Sequence, residues 1–283
     1  RCARIGEYMT VTNAVETTMI WGTVSGASMV GMVISLLLSV VLPIFLGIFI
    51  YKKTKAWVPA FFIGCGIFVG FAMILEQICH AIVLTVTGDV IRDNIWLYAI
   101  YGGLAAALFE ECGRWIAMKF CLKKHLTREN ALMYGAGHGG IEAFLILGMS
   151  SMSNLLTAAM INGGLMEKTM TALEPAQQEV TYHQLSVLWT TPAYQFYLAP
   201  VERISAIALQ IALSILVYSA VKTGRKLHLA AAFGLHFAVD FLTVICAAAI
   251  PTWALELGLL LVVAVICVAV YKLAYVSSTE KKA

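Results

Sequence analysis

Glu110, Glu111 and Arg114 sit in the stretch LFEECGRWIAMKF, whose other residues are mostly apolar. An arginine three and four residues beyond two carboxylates lies on their helix face, where it can hold one of them bidentately and leave the other to accept a proton from water. GHGGIEA sets His138 and Glu142 four residues apart, and HFAVD does the same with His236 and Asp240. VERISAIALQ carries Glu202 and Arg203, with Gln210 two turns further on. Carboxylates grouped with imidazoles are the parts of a water-activating centre, with a carboxylate as general base and histidines as donors to a developing oxyanion. The same groups are also donors for zinc, which His138, His236, Glu110 and Asp240 would hold. No HExxH occurs, however, and Arg114 beside the glutamates opposes a cation. The expectation is therefore no cofactor, with zinc left open.

These residues must be positioned by membrane-spanning helices. Of 283 residues, 60% are hydrophobic and only 12% charged, with a mean hydropathy of +0.85. A soluble domain carries about a quarter charged residues. A net charge of +3 gives no footing for nucleic acid. Six of the seven cysteines (Cys65, Cys79, Cys112, Cys121, Cys246 and Cys267) fall in or beside apolar segments without paired spacing. They read as small apolar side chains rather than a disulfide framework. Seven stretches are apolar for the roughly 20 residues a span needs: about 27–51, 57–84, 95–121, 129–160, 201–222, 228–249 and 253–275. The fourth is expected to break near Gly148–Ser153. The connection from Gly163 to Ala199 holds Trp189, Tyr194, Phe196 and Tyr197, a composition suited to the membrane interface.

Basic clusters alternate with neutral or acidic loops. Lys52, Lys53 and Lys55, then Lys119, Lys123, Lys124 and Arg128, then Lys222, Arg225 and Lys226, and finally Lys272, Lys281 and Lys282 fall at every second connection. The positive-inside rule then puts the N-terminus outside and the C-terminus in the cytoplasm. The expected fold is an all-α polytopic bundle of about seven spans in a bacterial cytoplasmic membrane. Residues 20–275 form one transmembrane domain, 1–19 a polar segment that is disordered or not native, and 276–283 a cytoplasmic tail.

Depth unites the polar residues. Counted inward from the flanking basic clusters, Glu110, Glu111, His138, Gln210 and His236 fall about 8–12 residues, or roughly 12–18 Å, from the same edge. Glu142 and Asp240 lie one turn deeper. Ionisable groups at membrane depth are costly, and four helices bringing them to one layer read as one site. Glu202 and Arg203 read as a structural bridge near the outer interface, and Glu76 and His80, away from the layer, as structural groups or the lining of an outer cavity.

The segments EECGR, ENALMYGAGHGGIEA, ERISA and HFAVD together resemble the YhfC family of bacterial membrane proteins, which looks related to the type II CAAX prenyl endopeptidases (the CPBP or ABI group) and to the PrsW proteases. The resemblance implies a glutamate-dependent intramembrane peptidase, in a group often named as metalloproteases. It assigns Glu110 as general base, Glu111 and Arg114 as its support, Glu142 as an intervening acid, and His236 with Asp240 as the last motif. One departure stands out: where the family pattern has a histidine about eight residues after the Glu-Arg pair, this chain has Gln210. Either His138 or Gln210 would then assist His236 at the oxyanion. The expected partners are membrane lipids and a peptide or membrane-protein substrate. An inactive scaffold of the same fold and a proton-coupled transporter are the alternatives.

Overall fold

The computed structural model describes residues 19–276. The segment 1–19 and the tail 276–283, but for Met19 and Val276, lie outside the described residues. Among the described residues there is no strand, and seven helices are long and apolar enough to cross a membrane. They are α1 (Gly26–Thr54), α2 (Pro59–Thr87), α3 (Ile95–Cys121), α4 (Arg128–Asn162), α6 (Ala193–Thr223), α7 (Lys226–Ala247) and α8 (Thr252–Ala274). Between the fourth and fifth of these lies a further helix, α5 (Pro175–Thr190). Their outward faces keep large apolar side chains exposed, such as Leu37, Val41, Phe45 and Ile48 on α1 and Leu261, Val265 and Val268 on α8. Water would not tolerate such faces over whole helices; lipid does.

Local chemistry sets the ends. Ser25, Asn94 and Thr127 cap α1, α3 and α4 with their side-chain oxygens, and Gly88 and Gly224 close α2 and α6 at positive φ. Because successive spans alternate in direction, every basic cluster from Lys52 to Lys272 falls at one end of the bundle, called here the basic face.

Two boundaries differ from the hydropathy reading. Helix α4 does not break near Gly148–Ser153; it continues through a π-helical turn at Phe144–Gly148, which absorbs the irregularity without freeing backbone groups. Helix α6 begins at Ala193 rather than 201, so Tyr194, Phe196 and Tyr197 belong to it. Pro200 lies inside it, where the apolar window lost the helix. The remaining connection contains α5, whose Tyr182 and Trp189 rings meet Trp21 at 5.6 and 5.7 Å.

Helix α6 is the centre of the bundle. Its most apolar stretch is 72% buried, against at most 33% for any other span. Helix α4 lies against it and against α1 and α2, and glycines set the separation. A Cβ on Gly137 would stand 1.9 Å from the carbonyl oxygen of Phe61, and one on Gly64 would stand 2.2 Å from that of Tyr134. One on Gly139 would meet Ile207 Cα and Gln210 Cβ at 3.0 Å. Small residues let these backbones approach closely, which brings His138 into the layer of Gln210 and Glu110.

Candidate active site

Arg114 is the largest fully buried side chain among the described residues. It follows Glu110 and Glu111 by one helical turn on α3, so its Nη2 lies 3.8 Å from Glu110 Oε2 and 3.6 Å from Glu111 Oε1. Neither carboxylate is gripped bidentately, contrary to the sequence expectation. The guanidinium instead turns its hydrogen bonds toward α6: Nη1 donates to the Gln210 carbonyl at 3.1 Å, and Nη2 donates to Gln210 Oε1. Spacing of i+3 and i+4 on one helix places both carboxylates beside the fork, and the facing helix takes its N–H directions. Arg114 offsets one of the two negative charges without occupying either carboxylate.

Gln210 is the hub of the site. Its Nε2 donates to Glu110 Oε2 at 2.9 Å and to Glu142 Oε2 at 2.7 Å, while Oε1 accepts from Arg114. An amide has two N–H donors and one acceptor on one planar group, and all are used here. A histidine at this position could not make the same three bonds. The sequence departure is therefore filled by the side chain that fits this network.

His138 on α4 is fully buried, with Nε2 2.9 Å from Glu110 Oε2 and Nδ1 3.4 Å from the Tyr134 hydroxyl. One tautomer serves both contacts: Nε2–H donates to Glu110, and Tyr134 donates to Nδ1. This histidine is bonded to Glu110 and does not line the cavity described below. His236 on α7 is placed differently. Its Nδ1 lies 2.8 Å from Glu111 Oε1, and its Nε2 lies 4.0 Å from Glu110 Oε2 and 3.5 Å from Asp240 Oδ2. Glu111 Oε2 is buried without a hydrogen-bond partner, so this carboxylate is committed to His236 and Arg114 through one oxygen.

A cavity of about 240 Å³ opens among α3, α4, α6, α7 and α8. Glu110, Glu142, Gln210, His236 and Asp240 line it. Glu111, Arg114 and His138 do not. The eight residues singled out in the sequence thus divide into five that face the cavity and three that hold them from behind.

Arg203 and Glu202 also line this cavity, which the depth count missed. Arg203 Nη1 donates to Glu142 Oε1 at 3.2 Å, and Nη2 pairs with Glu202. Two turns separate Arg203 from Gln210 along α6, but a long side chain and the antiparallel run of α4 close the gap at Glu142. The signal available in the sequence was the second Glu-Arg pair itself. Glu76 and His80 pair at 3.2 Å, and His80 Nδ1 meets the Tyr101 hydroxyl at 2.7 Å, a satisfied structural group at the edge of the site.

The donors named for zinc, His138, His236, Glu110 and Asp240, are not gathered as one ligand set. Among the described residues no three His, Cys, Asp or Glu side chains converge as ligands. His138 Nε2 is spent on Glu110, with the Arg114 guanidinium 3.3 Å away, and the fourth helix offers an amide. A divalent cation at Glu110 would meet the positive charge of Arg114, 3.8 Å from the same oxygen.

The family model described as "YhfC intramembrane metalloprotease" matches residues 38–267. The "Uncharacterized membrane protein YhfC" of Bacillus subtilis (strain 168) is 41% identical over 222 residues, covering 75% of this chain and 83% of that protein. No solved structure matches the chain. With every motif of the site inside the matched residues, this multi-pass membrane protein belongs to the YhfC intramembrane metalloprotease family.

Proposed function

We propose that the protein is an intramembrane peptidase in which Glu110 activates water for attack on a peptide carbonyl. The observation that carries this reading is the position of Glu110. It lines a polar cavity in the bundle, while His138 from behind and Gln210 from the cavity wall hydrogen-bond one of its oxygens, with Arg114 3.8 Å from the same oxygen. A carboxylate oriented in this way can take a proton from water in the cavity as the oxygen attacks. His236, carrying both protons, donates from Nε2 to the oxyanion that forms, and Glu111 holds the ring by Nδ1. Glu110 then returns the proton to the leaving amine. Gln210 serves as a positioning residue, because its N–H groups are spent on Glu110 and Glu142.

The family description implies a metal, but the donor set here does not fit one, and no step is routed through it. The substrate is a peptide or membrane protein that reaches the cavity from the bilayer. By the positive-inside rule the basic face is cytoplasmic, in a bacterial cytoplasmic membrane.

Wild type and Glu110→Gln expressed in matched membranes, compared by mass spectrometry of membrane peptides, test the reading. Products confined to wild type are expected. Identical peptide populations with both proteins folded would favour an inactive scaffold of the same fold.

A further inference from the structure

At the basic face a second cavity, of about 310 Å³, opens where α3, α6 and α7 end or begin. Its walls are of two kinds. Lys119 and Lys226 supply ammonium groups, while Trp115, Val221 and Leu229 supply an apolar floor beside the tight Gly224 turn. Lys119 Nζ lies over the Trp115 ring, 4.3 Å from its centroid. No carboxylate lines this cavity, and among the described residues neither lysine has an ion-pair partner. No side chain caps α7, so its positive end adds to the same field.

The geometry points to a binding site for one anionic phospholipid, with its phosphate between Lys119 and Lys226 and the start of an acyl chain against Trp115, Val221 and Leu229. Charge and shape both argue for a lipid. Uncompensated lysines at the end of spanning helices meet headgroup phosphates, and a basic pocket between helices is a recurring lipid site. Free phosphate would satisfy the lysines but leave the apolar floor wet. The position also has a consequence for the fold. The same three helices carry Glu110, Gln210 and His236, so a lipid seated here braces them at their basic ends.

Native mass spectrometry of the full chain in mild detergent, titrated with phosphatidylglycerol or phosphatidylcholine, tests the assignment. Wild type should retain phosphatidylglycerol preferentially. The Lys119→Gln/Lys226→Gln variant should lose that preference by on the order of 10- to 30-fold, as expected for two lysines near a membrane surface. Lys123→Gln/Lys124→Gln, on the same face but outside the cavity, should keep it. Equal retention by all three proteins would overturn the site, as would a wild type without preference. Displacement of the lipid by millimolar inorganic phosphate would overturn the lipid assignment in favour of a free-anion site. Both lysines are exposed, so their replacement leaves folding intact.

Discussion

Two arginine-centred charge nodes among the described residues are built from similar parts. Arg114 lies beside Glu110 and Glu111; Arg203 lies beside Glu142 and Glu202. The first is closed around its arginine: the Arg114 side chain has no exposure and Glu111 only 2%, while Glu110, at 8%, reaches the cavity. The second borders the cavity, with Arg203 at 10% and Glu202 at 33%. Gln210 joins the two, bonding Glu110 and Arg114 on one side and Glu142 on the other. An ion pair in a sealed place fixes carboxylates and lowers the cost of keeping them in hydrocarbon. The same pair at a cavity wall stays within reach of solvent and ligand. Composition does not distinguish them; position does.

Breaking this comparison starts where the largest effect is expected. Glu110→Gln removes the proposed base and should lower peptide cleavage by about 10²–10⁴-fold, the usual range for general-base catalysis. Thermal stability in detergent should change little, because the amide still occupies the pocket. Glu111→Gln sharpens the point: it should act through His236, with a smaller loss of cleavage in the same assay.

At the first node, Arg114→Met removes the one guanidinium beside two buried carboxylates and leaves them with His236 alone. Loss of about 3–5 kcal/mol is expected, read as a lower unfolding temperature. Arg114→Lys should recover only part of it, since one ammonium cannot reproduce the two-pronged contact with Gln210. Cutting the link with Gln210→Leu strands acceptors on Glu110 and Glu142 and should cost about 1–3 kcal/mol along with activity. Restoring a histidine there should not restore full stability, because it cannot bond both carboxylates and Arg114. The smallest change in stability is expected for Arg203→Gln, below that of Arg114→Met, since water in the cavity can solvate what it leaves. An equal fall in unfolding temperature for Arg114→Met and Arg203→Gln would erase the distinction between the nodes.

Much of this architecture is legible in the amino-acid sequence. A charged-residue fraction of 12%, seven apolar stretches and alternating basic loops determine a seven-span helical membrane protein. Counting 1.5 Å per residue from those loops places Glu110, Glu111, His138, Gln210 and His236 in one layer. Both deductions rest on hydropathy and helix rise, which are properties of the chain along its own axis. What they cannot supply is the rotation of each helix about that axis, or how far a long side chain reaches.

Those two quantities only the tertiary structure decided. Rotation of α4, set by glycines packed against α2 and α6, put His138 behind Glu110, while α7 turned His236 into the cavity. Reach brought Arg203 two turns across to Glu142 and made the second Glu-Arg pair part of the site. It also turned Gln210, which in the sequence looked like a missing histidine, into the one side chain with enough donors and acceptors to tie both nodes together.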